Sequence, residues 1–259
     1  MSTFIFSDIN DTIKPENGKI TDFCVKTLKC LKQKNIEFVL VTGKNRQKTE
    51  EFSSIYGGSR YIITSNGGEV FDTINREVIY STPIPVSSIL ILYEFSIKNN
   101  FRFILNVEDD FRFTTRVKYF DGSEKQIDDI NSVLSNYNVI GGLITEIPTN
   151  LVNIVKQKII ETVGVTIGNQ GENKGNNFID FISEYANKGV AIKKLVKHLK
   201  VDYDKTISIG NERNDISMFS ATYHSIAVNN ACNEIKAIVD EVIGSVDEDG
   251  VAKFLNTLK

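Results

Sequence analysis

Cysteine is scarce: Cys24, Cys30 and Cys232 are an odd, scattered set without a C-x-x-C spacing. A disulfide framework or a structural zinc site is therefore not expected, and a reducing, cytoplasmic setting fits best. Long apolar runs are missing as well. Nothing approaches the roughly 20 residues of a membrane span, and the opening Met-Ser-Thr-Phe-Ile-Phe-Ser-Asp has neither the basic region nor the apolar stretch of a signal peptide. No sign of charge prevails. A formal net charge of −3 gives no electrostatic reason to expect a nucleic-acid partner. What the chain does have is ordinary for a globular protein, with 41% apolar and 24% charged residues, and 259 residues suffice for one large domain or two modest ones.

Several short runs are almost wholly apolar: Phe4-Ile5-Phe6, Phe38 to Val41, Tyr61-Ile62-Ile63, Thr206 to Ile209 and Ser225 to Val228. Strands buried on both faces of a parallel sheet read this way. Helical patterns lie between them. In 21–34, Cys24, Leu28 and Leu31 share a face while Lys26, Lys29 and Lys32 point outward, and Ala191, Leu195 and Leu199 repeat the pattern in 188–200. Alternating strands and helices predict right-handed βαβ units in a doubly wound, mostly parallel α/β sheet.

The middle differs. Two of the four prolines, Pro83 and Pro85, end the first βα series in a stiff, extended segment. From there the strands partly alternate, at 101–107, 111–115, 141–147, 163–167 and 178–182, with helices near 87–98, 128–137 and 151–161. The pattern predicts an α+β module, residues 84–183, inserted into an α/β core made of 1–83 and 184–259. A hairpin is expected around Glu108-Asp109-Asp110, and the Gly- and Asn-rich stretch 168–177 reads as a solvated hairpin tip.

Asp8 directly follows the first apolar run, Thr42 follows another, and Asn211 and Asp215 lie just beyond Thr206–Ile209. In an open α/β sheet those positions share the C-terminal edge, where ligands bind. A single Asp after a strand is usually a turn residue or a helix cap. Several oxygen-bearing side chains in one register suit a hard cation such as Mg2+.

The motifs then become specific. Asp8-Ile9-Asn10-Asp11-Thr12, Val41-Thr42-Gly43-Lys44, Asn66-Gly67-Gly68, Lys188-Gly189-Val190-Ala191 and Gly210-Asn211-Glu212-Arg213-Asn214-Asp215 occur in the order of the haloacid dehalogenase motifs. With the tail segments around Asn229-Asn230-Ala231 and Asp249-Gly250-Val251, the chain resembles the Cof-type subfamily of that superfamily, whose inserted module is the type II B cap. The resemblance implies a Mg2+-dependent phosphatase of small phosphorylated metabolites, sugar phosphates among them. It makes Asp8 the nucleophile that becomes an aspartyl-phosphate. Thr42, Gly43, Lys44, Asn66, Asn214 and Lys188 would hold the phosphoryl group, while Asp8, Asn10, Asn211 and Asp215 would hold the metal.

Three positions depart from the family pattern. Asn10 stands where the resemblance calls for an acid/base Asp, and an amide carries no proton. Asn211 replaces an anionic metal ligand with a neutral one, which weakens Mg2+ binding. Lys44 replaces a planar, bidentate Arg. General acid–base help is worth about 10²–10⁴-fold, a small part of the ~10²¹ that phosphate-monoester hydrolysis can gain. A slow enzyme is the leading expectation, and a pseudo-phosphatase that binds a phosphorylated ligand is the alternative.

Overall fold

The computed structural model describes residues 2–15, 18–108, 112–118, 123–173 and 175–258. The chain forms two compact units, Met1–Tyr80 with Asn187–Lys259, and Ser81–Ala186. In chain order the first segment runs β1 (Thr3–Ser7), α1 (Asp22–Cys30), β2 (Ile36–Val41), α2 (Arg46–Ser54), β3 (Tyr61–Thr64), β4 (Glu69–Asp72) and β5 (Glu77–Ser81). The second unit follows as α3 (Val86–Lys98), β6 (Arg102–Val107), β7 (Arg112–Thr114), β8 (Glu124–Gln126), α4 (Ile130–Asn136), β9 (Val139–Ile147), α5 (Val152–Ile160), β10 (Val165–Asn173) and β11 (Asn176–Ser183). The return segment holds α6 (Lys188–Leu199), β12 (Thr206–Gly210), α7 (Ile216–Phe219), β13 (His224–Val228), α8 (Asn233–Lys236), β14 (Glu241–Ile243) and α9 (Gly250–Thr257).

The first unit's sheet has the order β14-β13-β12-β1-β2-β3-β4-β5. Strands β14 to β3 in that order pair in parallel, and β4 turns back antiparallel on β3. From β1 the chain winds outward first through β2 and β3, then in the opposite direction through β12, β13 and β14. The β1–β12 junction is thus the switch point of the winding, where an open α/β sheet binds its ligand. One face buries Ile5, Phe38, Leu40 and Ile62 against Leu28 of α1 and Leu255 of α9. The other buries Phe6, Val39, Val41 and Ile63 against Ala191 and Leu195 of α6 and Met218 of α7. Neighbouring residues of one strand thus serve opposite cores, which is why these runs carry no polar alternation. The expected α/β, mostly parallel architecture is the observed one. The antiparallel β4, with β5 beside it, was not anticipated.

The second unit is a sheet of order β10-β11-β9-β6-β7-β8, antiparallel except between β7 and β8. Phe103, Leu105, Ile144, Ile179 and Phe181 form its apolar face with Leu92 of α3 and Val155 and Ile159 of α5. On the other face Arg102 of β6 gives Nη2 to both oxygens of buried Glu124, at 2.6 and 2.7 Å. The stretch 168–177 does belong to a hairpin, of β10 and β11, but the extent of its tip needs correcting. Paired strands run through Gln170↔Ile179, Gly171↔Phe178 and Glu172↔Asn177, so most of that stretch is ladder rather than loop. Backbone pairing on an exposed ribbon needs no apolar side chains, and composition therefore hid it. β6 and β7 do pair antiparallel, while Asp109 and Asp110 of the expected turn lie outside the described residues.

Candidate active site

Asp8 leaves the end of β1 with its amide hydrogen-bonded to Ile209 O of β12 at 3.0 Å, so two adjacent strand ends fix its backbone. Lys188, the first residue of α6, spans this edge. Its Nζ donates to Asp8 Oδ1 and to Asp215 Oδ1, each at 2.7 Å, and the lysine is 1% exposed. Asp215 in turn accepts at Oδ2 from the amides of Asn211 (2.9 Å) and Glu212 (3.0 Å). The Glu212 carboxylate reciprocates with the Asp215 amide in a capping box. Gly210 allows this loop to close so tightly, because a Cβ there would lie 2.5 Å from Asp215 Oδ2.

Two carboxylates on one ammonium leave the buried cluster with surplus negative charge. Burial, followed by Asp215 and Glu212 and opposed by Lys188, pushes the Asp8 carboxyl up to about 6. For Lys188 burial alone favours the neutral amine, but the Asp8 and Asp215 charges outweigh it and hold the ammonium above its ordinary range. The lysine is therefore a fixed cation, and Asp8, the nucleophile candidate, holds its proton more tightly than an ordinary carboxyl. Lys44 is lowered by burial, against the pull of Asp8 and with the help of Lys14, Lys48 and Lys188.

The remaining predicted residues group around this cluster. Lys44 Nζ donates to Asn10 Oδ1 at 2.7 Å. The Asn66 amide donates to Thr42 O at 3.0 Å, the Ser65 amide to Lys44 O at 2.9 Å, and Asn214 Nδ2 to Asn66 Oδ1 at 3.3 Å. A Cβ on Gly43 would sit 3.1 Å from Asn66 Oδ1, so these two turns are interlocked. Asn66-Gly67-Gly68 is more than a hairpin turn. Ser65 (φ 50°), Asn66 (φ 56°) and Gly67 (φ 94°) are successively left-handed, and a Cβ on Gly67 would meet the Asn187 carbonyl at 2.3 Å and the Lys188 amide at 2.7 Å. The turn thus seats the start of α6, and with it Lys188. Gly67→Ala must strain the turn and push α6 outward. We expect a loss of about 1–3 kcal/mol in stability together with a fall in kcat that exceeds any change in KM, measured by denaturant melts and steady-state kinetics.

The donor set fits a hard cation. The Asp8 Oδ2 atom has no partner among the described side chains, and Asn211 and the Asn10 backbone add neutral oxygens beside a cluster in surplus of negative charge. Among the described residues no group of three or more His, Cys, Asp or Glu is arranged for a metal, in keeping with two amides in the set. Both Asp215 oxygens are already engaged with Lys188 and backbone amides, an arrangement that suits positioning.

Four supporting residues were not singled out from the sequence. Thr12 donates Oγ1 to Asn211 Oδ1 at 2.8 Å, turning that oxygen toward the first motif; the threonine of D-x-D-x-T was the available signal. Asn187 caps α6 by accepting from the Val190 amide at 2.9 Å, as its place before Lys188 allows. Arg46 and Glu69 form a buried ion pair behind the Thr42–Asn66 turns, with the Arg46 guanidinium 3.8 Å above the Phe71 ring. Their partnership spans β3 and left no pattern in sequence.

The fold and this motif geometry define a doubly wound α/β core with an aspartate at its switch point. The family model for haloacid dehalogenase-like hydrolases matches residues 5–255, and the chain belongs to that family. It is similar to the 5-amino-6-(5-phospho-D-ribitylamino)uracil phosphatase YitU of Bacillus subtilis, 23% identical over 96% of this chain and 94% of that protein. The phosphatase YwpJ of the same organism is 39% identical over 83 residues, 32% of this chain and 29% of YwpJ. A haloacid dehalogenase-like hydrolase from Bacteroides thetaiotaomicron superposes with a TM-score of 0.81 at 19% identity, over 100% of both chains.

Proposed function

We propose that the chain is a phosphatase of small phosphorylated metabolites in which Asp8 accepts the phosphoryl group. The observation that carries this reading is Lys188, a buried ammonium 2.7 Å from both Asp8 and Asp215. Such an ammonium has no structural need of two carboxylates, but it holds a nucleophile in place and offers charge to the equatorial phosphoryl oxygens as they gain it in a loose transition state. Thr42, the Gly43–Lys44 turn and Asn66 supply further donors, and Asn214 fixes Asn66. Asp215 is a positioning residue that holds Lys188 and the Asn211–Glu212 loop. Asp8, the Asn10 backbone carbonyl and Asn211 would hold Mg2+, which when bound screens the Asp8 carboxylate from the phosphate charge. Residues 81–186 act as the cap that selects the substrate. The similarity to a 5-amino-6-(5-phospho-D-ribitylamino)uracil phosphatase puts phosphate esters, sugar phosphates among them, in the panel of compounds to test.

Asn10 and Asn211 favour a second reading, in which the chain binds a phosphorylated ligand without turning it over. A panel of phosphorylated metabolites, with and without Mg2+, separates the two by recording phosphate release beside calorimetric binding. Release that Asp8→Asn removes is the expected result, and saturable binding with no release by wild type or by Asn10→Asp would leave the binder. The same calorimetry tests the metal set. Asn211→Asp should tighten Mg2+ by about tenfold or more by restoring an anionic oxygen, and equal affinities would remove residue 211 from the metal site.

A further inference from the structure

Proton supply at this site is closed off more completely than the Asn10 identity alone requires. Lysine donates and cannot accept, so the atom of Asn10 that faces Lys44 Nζ at 2.7 Å is the amide oxygen. The exposed amide NH2 is left as the free end, able to donate a hydrogen bond to a ligand oxygen but not a proton. Residue 10 itself is pinned. The amides of Ile13 and Lys14 both return to Ile9 O at 3.0 Å, and the Asp11 amide donates to Lys14 O at 2.7 Å. Two neighbouring acids are committed elsewhere: Asp215 is filled by Lys188 and two amides, and Glu212 caps the Asp215 amide. The Asp11 backbone is fixed, with its carbonyl held by Asn230 Nδ2 at 2.7 Å.

On the basis of the phosphatase reading above, we infer that the substrates this site serves are phosphoryl donors whose leaving group departs as a stable anion, acyl phosphates and phosphoanhydrides, rather than alkyl phosphate esters. In the first step an Asp8 oxygen bonds to phosphorus and the bond from phosphorus to the leaving oxygen breaks, its electron pair staying on that oxygen. A departing carboxylate or phosphate keeps the pair without taking up a proton, whereas an alkoxide needs a proton that neither the Asn10 amide nor the Lys188-bound Asp215 delivers. In the second step water bonds to phosphorus, Asp8 leaves with the electron pair, and the water proton passes to the released phosphate or to bulk solvent.

The test measures the rate of Asp8 phosphorylation with radiolabelled acetyl phosphate, pyrophosphate and glucose 6-phosphate, in wild type, Asn10→Asp and Lys44→Gln with Mg2+ present. Wild type should label from acetyl phosphate or pyrophosphate at least about 100-fold faster than from glucose 6-phosphate, and Asn10→Asp should speed the alkyl ester by about 10²–10⁴-fold while changing the activated donors only a few-fold. Equal labelling of wild type by both classes overturns the inference and leaves the phosphatase reading intact. Alkyl-ester labelling that Lys44→Gln selectively removes also overturns it, by making Lys44 the proton source. No labelling of wild type or Asn10→Asp by any donor removes the phosphatase reading itself, and the inference with it.

Discussion

In EDTA at pH 8, Asp8→Asn should melt at a higher temperature than wild type, although it abolishes phosphoryl transfer. The buried triad of Asp8, Lys188 and Asp215 has one carboxylate too many, and burial raises the Asp8 carboxyl from its ordinary 3.8 to about 6. At pH 4 and below, the folded and unfolded states both hold that proton, so the group costs nothing. Between pH 4 and pH 6 the unfolded chain releases the proton while the folded chain retains it, and stability falls as pH rises. Above pH 6 the accumulated cost is about 3 kcal/mol, at 1.36 kcal/mol for each tenfold. The substitution keeps the shape, leaves Lys188 paired with Asp215 at 2.7 Å, and removes the surplus charge. Melting temperatures should rise by roughly 5–10 °C at pH 8, with the gain vanishing toward pH 4. Millimolar Mg2+ should narrow the gap by stabilising wild type alone. A lower melting temperature for the variant at pH 8 would mean that the Asp8–Lys188 pair stabilises the fold more than the excess carboxylate strains it.

The candidate site was legible in the sequence where strand ends and helix starts coincide with unusual residues. Asp8, Thr42, Asn211 and Asp215 each abut a short apolar run, and parallel pairing brings β1, β2 and β12 to one edge. Lys188 opens a helix, an unfavourable place for a cation without anions, and two carboxylates are there. What stayed hidden depends on contacts between distant segments or on backbone conformation. Thr12 to Asn211 spans 199 residues. The left-handed run through Ser65, Asn66 and Gly67 needs its φ values to be recognised as a seat for α6. The antiparallel β4 hid because Glu69 sits fully buried in it, and a buried glutamate reads as strand interior only once Arg46 is seen beside it. On the polar ribbon 168–177, backbone pairing carries the structure and composition carries no signal.

With nitrophenyl phosphate and Mg2+, wild type should release a burst of nitrophenolate close to one equivalent per site and then turn over slowly. The two halves of the reaction lean on position 10 unequally. Nitrophenolate leaves as a stable anion, so transfer to Asp8 proceeds against Lys188 without a proton donor. Water attacking the aspartyl-phosphate has no base, because the Asn10 amide oxygen is already held by Lys44 at 2.7 Å and an amide accepts no proton. Phosphorylation should therefore outrun hydrolysis, and a phosphoenzyme should accumulate. Asn10→Asp places a titratable carboxyl beside Lys44, able to give a proton to a leaving oxygen and to take one from the attacking water. It should abolish the burst and raise the steady rate by about 10²–10⁴-fold. Asp8→Asn should remove both phases, which assigns the burst to Asp8 rather than to tightly held product. A linear wild-type trace at the rate of Asn10→Asp would show that water is activated without residue 10. A trace with neither phase, unrescued by Asn10→Asp combined with Asn211→Asp, would leave ligand binding as the activity of the site.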